Sequence, residues 1–89
     1  MKHLPLFFDL AGRKAVVVGD GAAADRRAEA ARSAGAEVSR LVAATIKVAD
    51  FRDAAVAFIA TGAFESDAAA QRIAKAAGVP VNVADRPEL

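Results

Sequence analysis

The residues with the most chemistry to offer stand in the stretch AVVVGDGAAADRR, Ala15 to Arg27. Three valines run into Gly19, Gly21 follows after one residue, and Ala24 completes a G-x-G-x-x-A spacing. In a strand–turn–helix unit each small residue of that spacing has a use. The first glycine permits a tight turn, and the second lets bare backbone approach a pyrophosphate. The third small residue lets the helix pack close to the strand. A helix that starts at such a turn also offers unpaired N–H groups and the positive end of its dipole to an anion. The spacing therefore points to a dinucleotide site, although a tight strand-to-helix turn without a ligand could use the same residues. Asp20 lies inside the turn. An anion there repels phosphate unless it faces solvent, so it reads as a solvated turn residue.

The next candidates are those that would meet the rest of a dinucleotide. An acid about 20 residues beyond the turn, at the end of the second strand, would accept from a ribose hydroxyl. Glu37 opens that strand and is too early, and Ser39 and Arg40 hold the better positions. Arg40 could meet a 2′-phosphate and so favour NADP, or it is an exposed basic residue near a sheet edge. Thr61 and Gly62 end a later apolar strand, where a hydroxyl suits a sugar or a nicotinamide and equally suits a plain strand end. Asp85 follows VNVA at the end of the last strand. A carboxylate on that rim can act as a general base or hold a metal, or it is a turn residue. Asn82 could position it or pair with backbone. His3 is the only histidine and there is no cysteine, so there is no thiolate metal site, and one histidine makes neither a metal site nor a nucleophile–base pair.

Elements must bring these residues together. Lys14 to Gly19 reads as a buried strand, β-branched and ended by glycine. Ala22 to Ser33 are strong helix formers, stopped by Gly35. Glu37 to Val42 reads as a second strand, Thr45 to Ala49 as a weak third and Ala55 to Thr61 as a clear buried fourth. Ser66 to Gly78 reads as a second helix, with Ser66 as N-cap. Val79 to Asp85 reads as a last strand, with Pro80 tolerated at its start. Strands alternating with helices predict an α/β fold, a Rossmann-like open, mostly parallel sheet flanked by helices. Lys14–Val18 should be central, with Val56–Ala60 beside it. One connection does not fit. Only Ala43 and Ala44 separate the second and third predicted strands, whereas a parallel crossover needs about a dozen residues. Either the two segments form a hairpin, or one is not a strand, or a helix is missing.

The totals set bounds. Eighty-nine residues predict one domain, residues 1–89, with a modest core. A formal net charge of +1 offers no electrostatic case for nucleic acid or an acidic membrane. LPLFF near the N-terminus is short and interrupted by Asp9. No signal-peptide core and no apolar run of about 18 residues is present. The absence of cysteine fits a cytoplasmic protein.

HLPLFFDLAGRKAVVVGDGAAADRRAEAARSAGAEV, with FIATG and AQRIAKAAGVPVNVADRPEL farther on, resembles the siroheme synthase N-terminal domain family. These domains are precorrin-2 dehydrogenases, some also sirohydrochlorin ferrochelatases. The likeness covers nearly the whole chain. It implies NAD-dependent oxidation of precorrin-2 to sirohydrochlorin, with NADP as the alternative cofactor, in a homodimer. It places NAD contacts at Gly19, Gly21, Ala22 and Ala23, and near Ala43 and Ala44, with Thr61 on the rim. Asp85 falls on the family's essential aspartate, as general base and, where iron is inserted, in metal handling. The departures are a shortened middle, Asp20 in place of the middle turn glycine, and Gly62 where an acid or amide commonly stands. The family's dimerisation and helical segments, which build the tetrapyrrole cleft, would lie beyond Leu89. Two other readings stand beside the enzyme: an NAD(P)-binding or structural module without catalysis, and a small domain that senses NAD(P).

Overall fold

A computed structural model describes residues 10–84 of the chain. Its elements are β1 (Lys14–Val18), α1 (Ala22–Ser33), β2 (Glu37–Leu41), β3 (Ala54–Ile59), α2 (Phe64–Ala76) and β4 (Val81–Val83). The four strands form one parallel sheet in the order β2-β1-β3-β4. This is an α/β, Rossmann-like fold, with β1 and β3 central as the sequence predicts.

The central position of β1 follows from its residues. Ala15, Val16, Val17 and Val18 are all completely buried, and only a strand covered on both faces can be uniformly apolar. Successive side chains point to opposite faces of a sheet. Val16 and Val18 pack with Ala57 and Ile59 of β3 and with Ala70 and Ala74 of α2. Val17, on the other face, packs with Ala24 and Ala28 of α1. The two helices therefore cover opposite faces. Both present alanines to the sheet, so they sit close and contribute little area. Most of the large buried volume comes instead from the valines, Ile59 and Phe51.

The expected strand over Thr45 to Ala49 does not form. Two short 3-10 turns, Ala43–Thr45 and Val48–Phe51, carry the chain from β2 to β3. The physical reason lies in the sheet order. β2 and β3 both run parallel to β1, on opposite sides of it, so the chain must return from the carboxyl end of β2 to the amino end of β3. The segment serves as the crossover itself. Phe51, completely buried in the cluster on the α2 face, anchors it to the core.

The second helix also begins earlier than Ser66. Its N-cap is Ala63, and the Asp67 N–H donates to the Ala63 carbonyl at 2.9 Å. The last strand is shorter than expected, Val81–Val83 rather than Val79–Asp85. The ends of the other strands move by one or two residues. None of the helices among the described residues is long and apolar enough to cross a membrane.

Candidate functional site

The register places the carboxyl ends of the strands in one row. Val18 is level with Leu41 of β2 and with Ile59 of β3, and Ile59 is level with Val83 of β4. The chain leaves β1 toward β2, then crosses back to place β3 on the other side of β1. That reversal makes a crevice beyond the strand ends, which is where ligands sit in open parallel sheets.

A cleft of about 250 Å3 occupies this place, lined by Gly19, Asp20, Val42, Ala43, Ala44, Thr61 and Ser66. Four of the residues singled out from the sequence, Gly19, Ala43, Ala44 and Thr61, thus converge from three separate connections. Ala23 lines a neighbouring cleft of about 330 Å3 along α1, with Arg26, Arg27, Ala30 and Ala84. The larger cleft is flanked by one helix and touches only the end of β4. The smaller one lies across the strand ends and carries the case for a ligand. Gly21 and Ala22 lie between the two in sequence, as N-cap and first residue of α1.

The two turn glycines are there for different reasons. Gly19 has φ +136°, and a Cβ on it would lie 2.2 Å from the Ala60 carbonyl oxygen and 3.1 Å from Ala24 Cβ. Packing between the ends of β1 and β3 and the start of α1 demands glycine there. The Gly19 N–H donates to the Leu41 carbonyl and the Ala60 N–H to the Val18 carbonyl, each at 2.9 Å, so the ladder is continuous up to the turn. Gly21 has φ −100°, extended backbone that any residue adopts. A Cβ on it would meet nothing within 4 Å. Neither φ nor packing demands glycine at this position: as N-cap of α1 it is a favoured residue type, and it leaves the backbone there bare.

Beyond Gly21, the first internal hydrogen bond of α1 runs from the Asp25 N–H to the Gly21 carbonyl at 3.0 Å. The N–H groups of the preceding turn, Ala22 to Ala24, have no intrahelical acceptor by helix geometry. A dinucleotide pyrophosphate fits such a row of donors at the positive end of a helix.

Arg40 is neither simply exposed nor turned toward the cleft. Its Nη2 donates to the Gly19 carbonyl at 2.8 Å and its Nη1 pairs with Asp25 at 3.0 Å, while Nε is buried with no partner. Leu41 belongs to the α2 face, so strand alternation sends Arg40 to the α1 face, where it ties the turn to the helix. Glu37, at the opposite end of β2, is exposed.

Thr61 lies on the rim, but its hydroxyl is engaged. It donates to Asp67 Oδ1 at 2.6 Å, and the Thr61 N–H donates to the same oxygen at 2.9 Å. Asp67 is 1% exposed and was not anticipated from the sequence. The available signal was an acid in the first turn of a helix that follows a Thr-Gly strand end. Ser66, expected as a cap, lines the cleft one residue before Asp67.

Asp85 and His3 lie outside the described residues. Asn82 is exposed in β4, level with Phe58. No group of three or more His, Cys, Asp or Glu suited to a metal ion occurs among the described residues.

Comparison with known proteins agrees with this geometry. A family model of NAD(P)-binding domains matches residues 6–89. The siroheme synthase of Stutzerimonas stutzeri strain A1501 is 34% identical over 109 aligned positions, covering all of this chain and 23% of that protein. Those of Azotobacter vinelandii and Methylobacillus flagellatus are 37% and 32% identical with the same coverage. The chain thus spans about a quarter (23%) of the length of the curated relatives it matches. An alignment of 109 positions for 89 residues means that the relatives carry residues within the matched stretch that this chain lacks. A shortening of that kind is what the resemblance implies.

Proposed function

The chain belongs to this family of NAD(P)-binding domains, and on that premise we propose that it binds NAD in the cleft at the strand ends and serves siroheme synthesis as a precorrin-2 dehydrogenase. One observation carries the reading. Gly19, Ala43, Ala44 and Thr61, far apart in sequence, line a single cleft at the point where the strand order reverses.

The residues present fit a dinucleotide. Gly21 leaves the space above the turn open, and the first N–H groups of α1 supply donors for the pyrophosphate. Ala43 and Ala44 offer small side chains to the adenosine end. Thr61, fixed by Asp67, shapes the opposite rim. NAD, when bound, supplies the hydride acceptor of a dehydrogenation. Asp85, which follows β4 in sequence, would take the proton that leaves the tetrapyrrole skeleton. A carboxylate in that role is typically worth about 10²–10⁴ in rate.

The test is a titration of the folded chain with NAD+. Gly21→Val puts a branched side chain where the pyrophosphate would lie. Affinity should fall at least about tenfold, or 1.4 kcal/mol. Equal affinity of the two folded proteins would refute the site.

A further inference from the structure

The cleft raises a question of recognition. Dinucleotide sites of this architecture use an acid at the end of the second strand to accept a ribose hydroxyl. Here β2 carries none at its carboxyl end. Glu37 stands at the opposite end, about 13 Å away at the usual rise of a strand. Leu41 packs into the core on the α2 face. Val42, the next residue, is 57% exposed and lines the cleft. The site therefore lacks its usual acceptor.

An acidic residue nevertheless lines the cleft. Asp20 lines it from the glycine turn, together with Val42, Ala43 and Ala44 from the end of β2. Asp20 is exposed and makes none of the hydrogen bonds or ion pairs found among the described residues. The other acid close to the turn, Asp25, is neutralised by Arg40 at 3.0 Å. Arg40 itself is drawn to the α1 face by Asp25 and by the Gly19 carbonyl, and it does not line the cleft. The charge left facing the cleft beside the end of β2 is thus negative.

We propose that Asp20 is the residue that selects the cofactor: its carboxylate accepts a hydroxyl of the adenosine ribose and repels the 2′-phosphate of NADP. The proposal rests on the dinucleotide reading of the site. It also accounts for an acid in a phosphate-binding turn. Such a charge is costly beside a pyrophosphate unless it is aimed at a hydrogen-bond donor. A ribose hydroxyl is a donor, whereas a phosphate dianion has only acceptors and carries like charge. The acceptor that the second strand ordinarily supplies has moved to the turn.

The experiment is calorimetric titration of the whole chain with NAD+ and with NADP+. The wild type, Asp20→Asn, Asp20→Glu and Arg40→Gln are compared after circular dichroism has shown each to be folded. Wild type should bind NAD+ at least about tenfold more tightly than NADP+, a difference of 1.4 kcal/mol. Asp20→Asn should bring the two affinities to within about threefold of each other by weakening NAD+ and strengthening NADP+. Asp20→Glu, which keeps the charge, should keep the preference, and so should Arg40→Gln. An unchanged preference in Asp20→Asn would overturn the assignment and leave the dinucleotide site standing. So would a wild-type preference for NADP+ that Arg40→Gln abolishes, which would transfer the role to Arg40. If wild type binds neither dinucleotide, the reading of the site fails and the role of Asp20 with it.

Discussion

Replacing Gly19 by alanine tests the claim that this glycine serves the fold and Gly21 the ligand. An alanine at Gly19 must hold φ +136° while its Cβ meets the Ala60 carbonyl oxygen at 2.2 Å and carbonyl carbon at 2.9 Å. Those atoms are backbone and cannot rotate away. Relief requires the ends of β1 and β3 to separate, which strains the hydrogen bond from the Ala60 N–H to the Val18 carbonyl. The sparsely populated backbone conformation costs about 1–3 kcal/mol. Forcing an extra carbon into a packed junction costs about 1–3 kcal/mol more. The expected loss is therefore about 2–6 kcal/mol, a large part of the roughly 4–13 kcal/mol available to a chain of this size. Gly21→Ala meets no atom and needs no unusual φ, so only the poorer N-cap counts, about 0.5–1 kcal/mol. Urea unfolding followed by far-ultraviolet circular dichroism reads both. With a slope of about 1–1.5 kcal/mol per molar urea, Gly19→Ala should lower the midpoint by more than about 1.3 M and Gly21→Ala by less than about 1 M. Equal midpoint shifts in the two variants would show that the junction yields and that the division of roles is mistaken.

Two further outcomes follow from the site. Asp67→Ala removes the acceptor of the Thr61 N–H and leaves the Thr61 hydroxyl only the Ala63 carbonyl at 3.1 Å, and should cost about 1–3 kcal/mol in the same unfolding assay; an unchanged midpoint would show that water replaces the carboxylate at no cost. Asp85→Ala should leave NAD+ affinity within about twofold of wild type and lower any precorrin-2 oxidation by about 10²–10⁴; equal oxidation rates in the two proteins would reduce Asp85 to a turn residue.

The parts legible in the sequence are those decided by neighbours along the chain. α1 runs from Ala22 to Ser33 as expected, because a glycine turn starts it, helix formers fill it and Gly35 follows its end. β1 and β3 were recognisable as central, because Ala15–Val18 and the run around Val56–Ile59 are too uniformly apolar for an edge. The glycine turn was visible as a turn for the same local reason.

Other features depended on partners distant in sequence. Thr45, Ile46 and Val48 have the composition of a strand, yet β2 and β3 lie parallel on opposite sides of β1, so the short chain between them has to cross from one end of the sheet to the other. The segment became a crossover anchored by Phe51. Arg40 could be placed at the end of β2 from the sequence. The face it points to was decided by Leu41 entering the core on the other side, which a one-residue shift would have reversed. Asp67 reads as a helix-start acid, and only the fold of the connection from Thr61 buries it. By sequence alone Asp20 reads as a solvated turn residue. The tertiary structure puts it in a cleft with Ala43 and Ala44, because the parallel register brings the ends of β1 and β2 level. Local propensity thus determined which segments are helix, central strand and turn. Strand pairing, which joins residues remote in the chain, decided which side chains share the cleft.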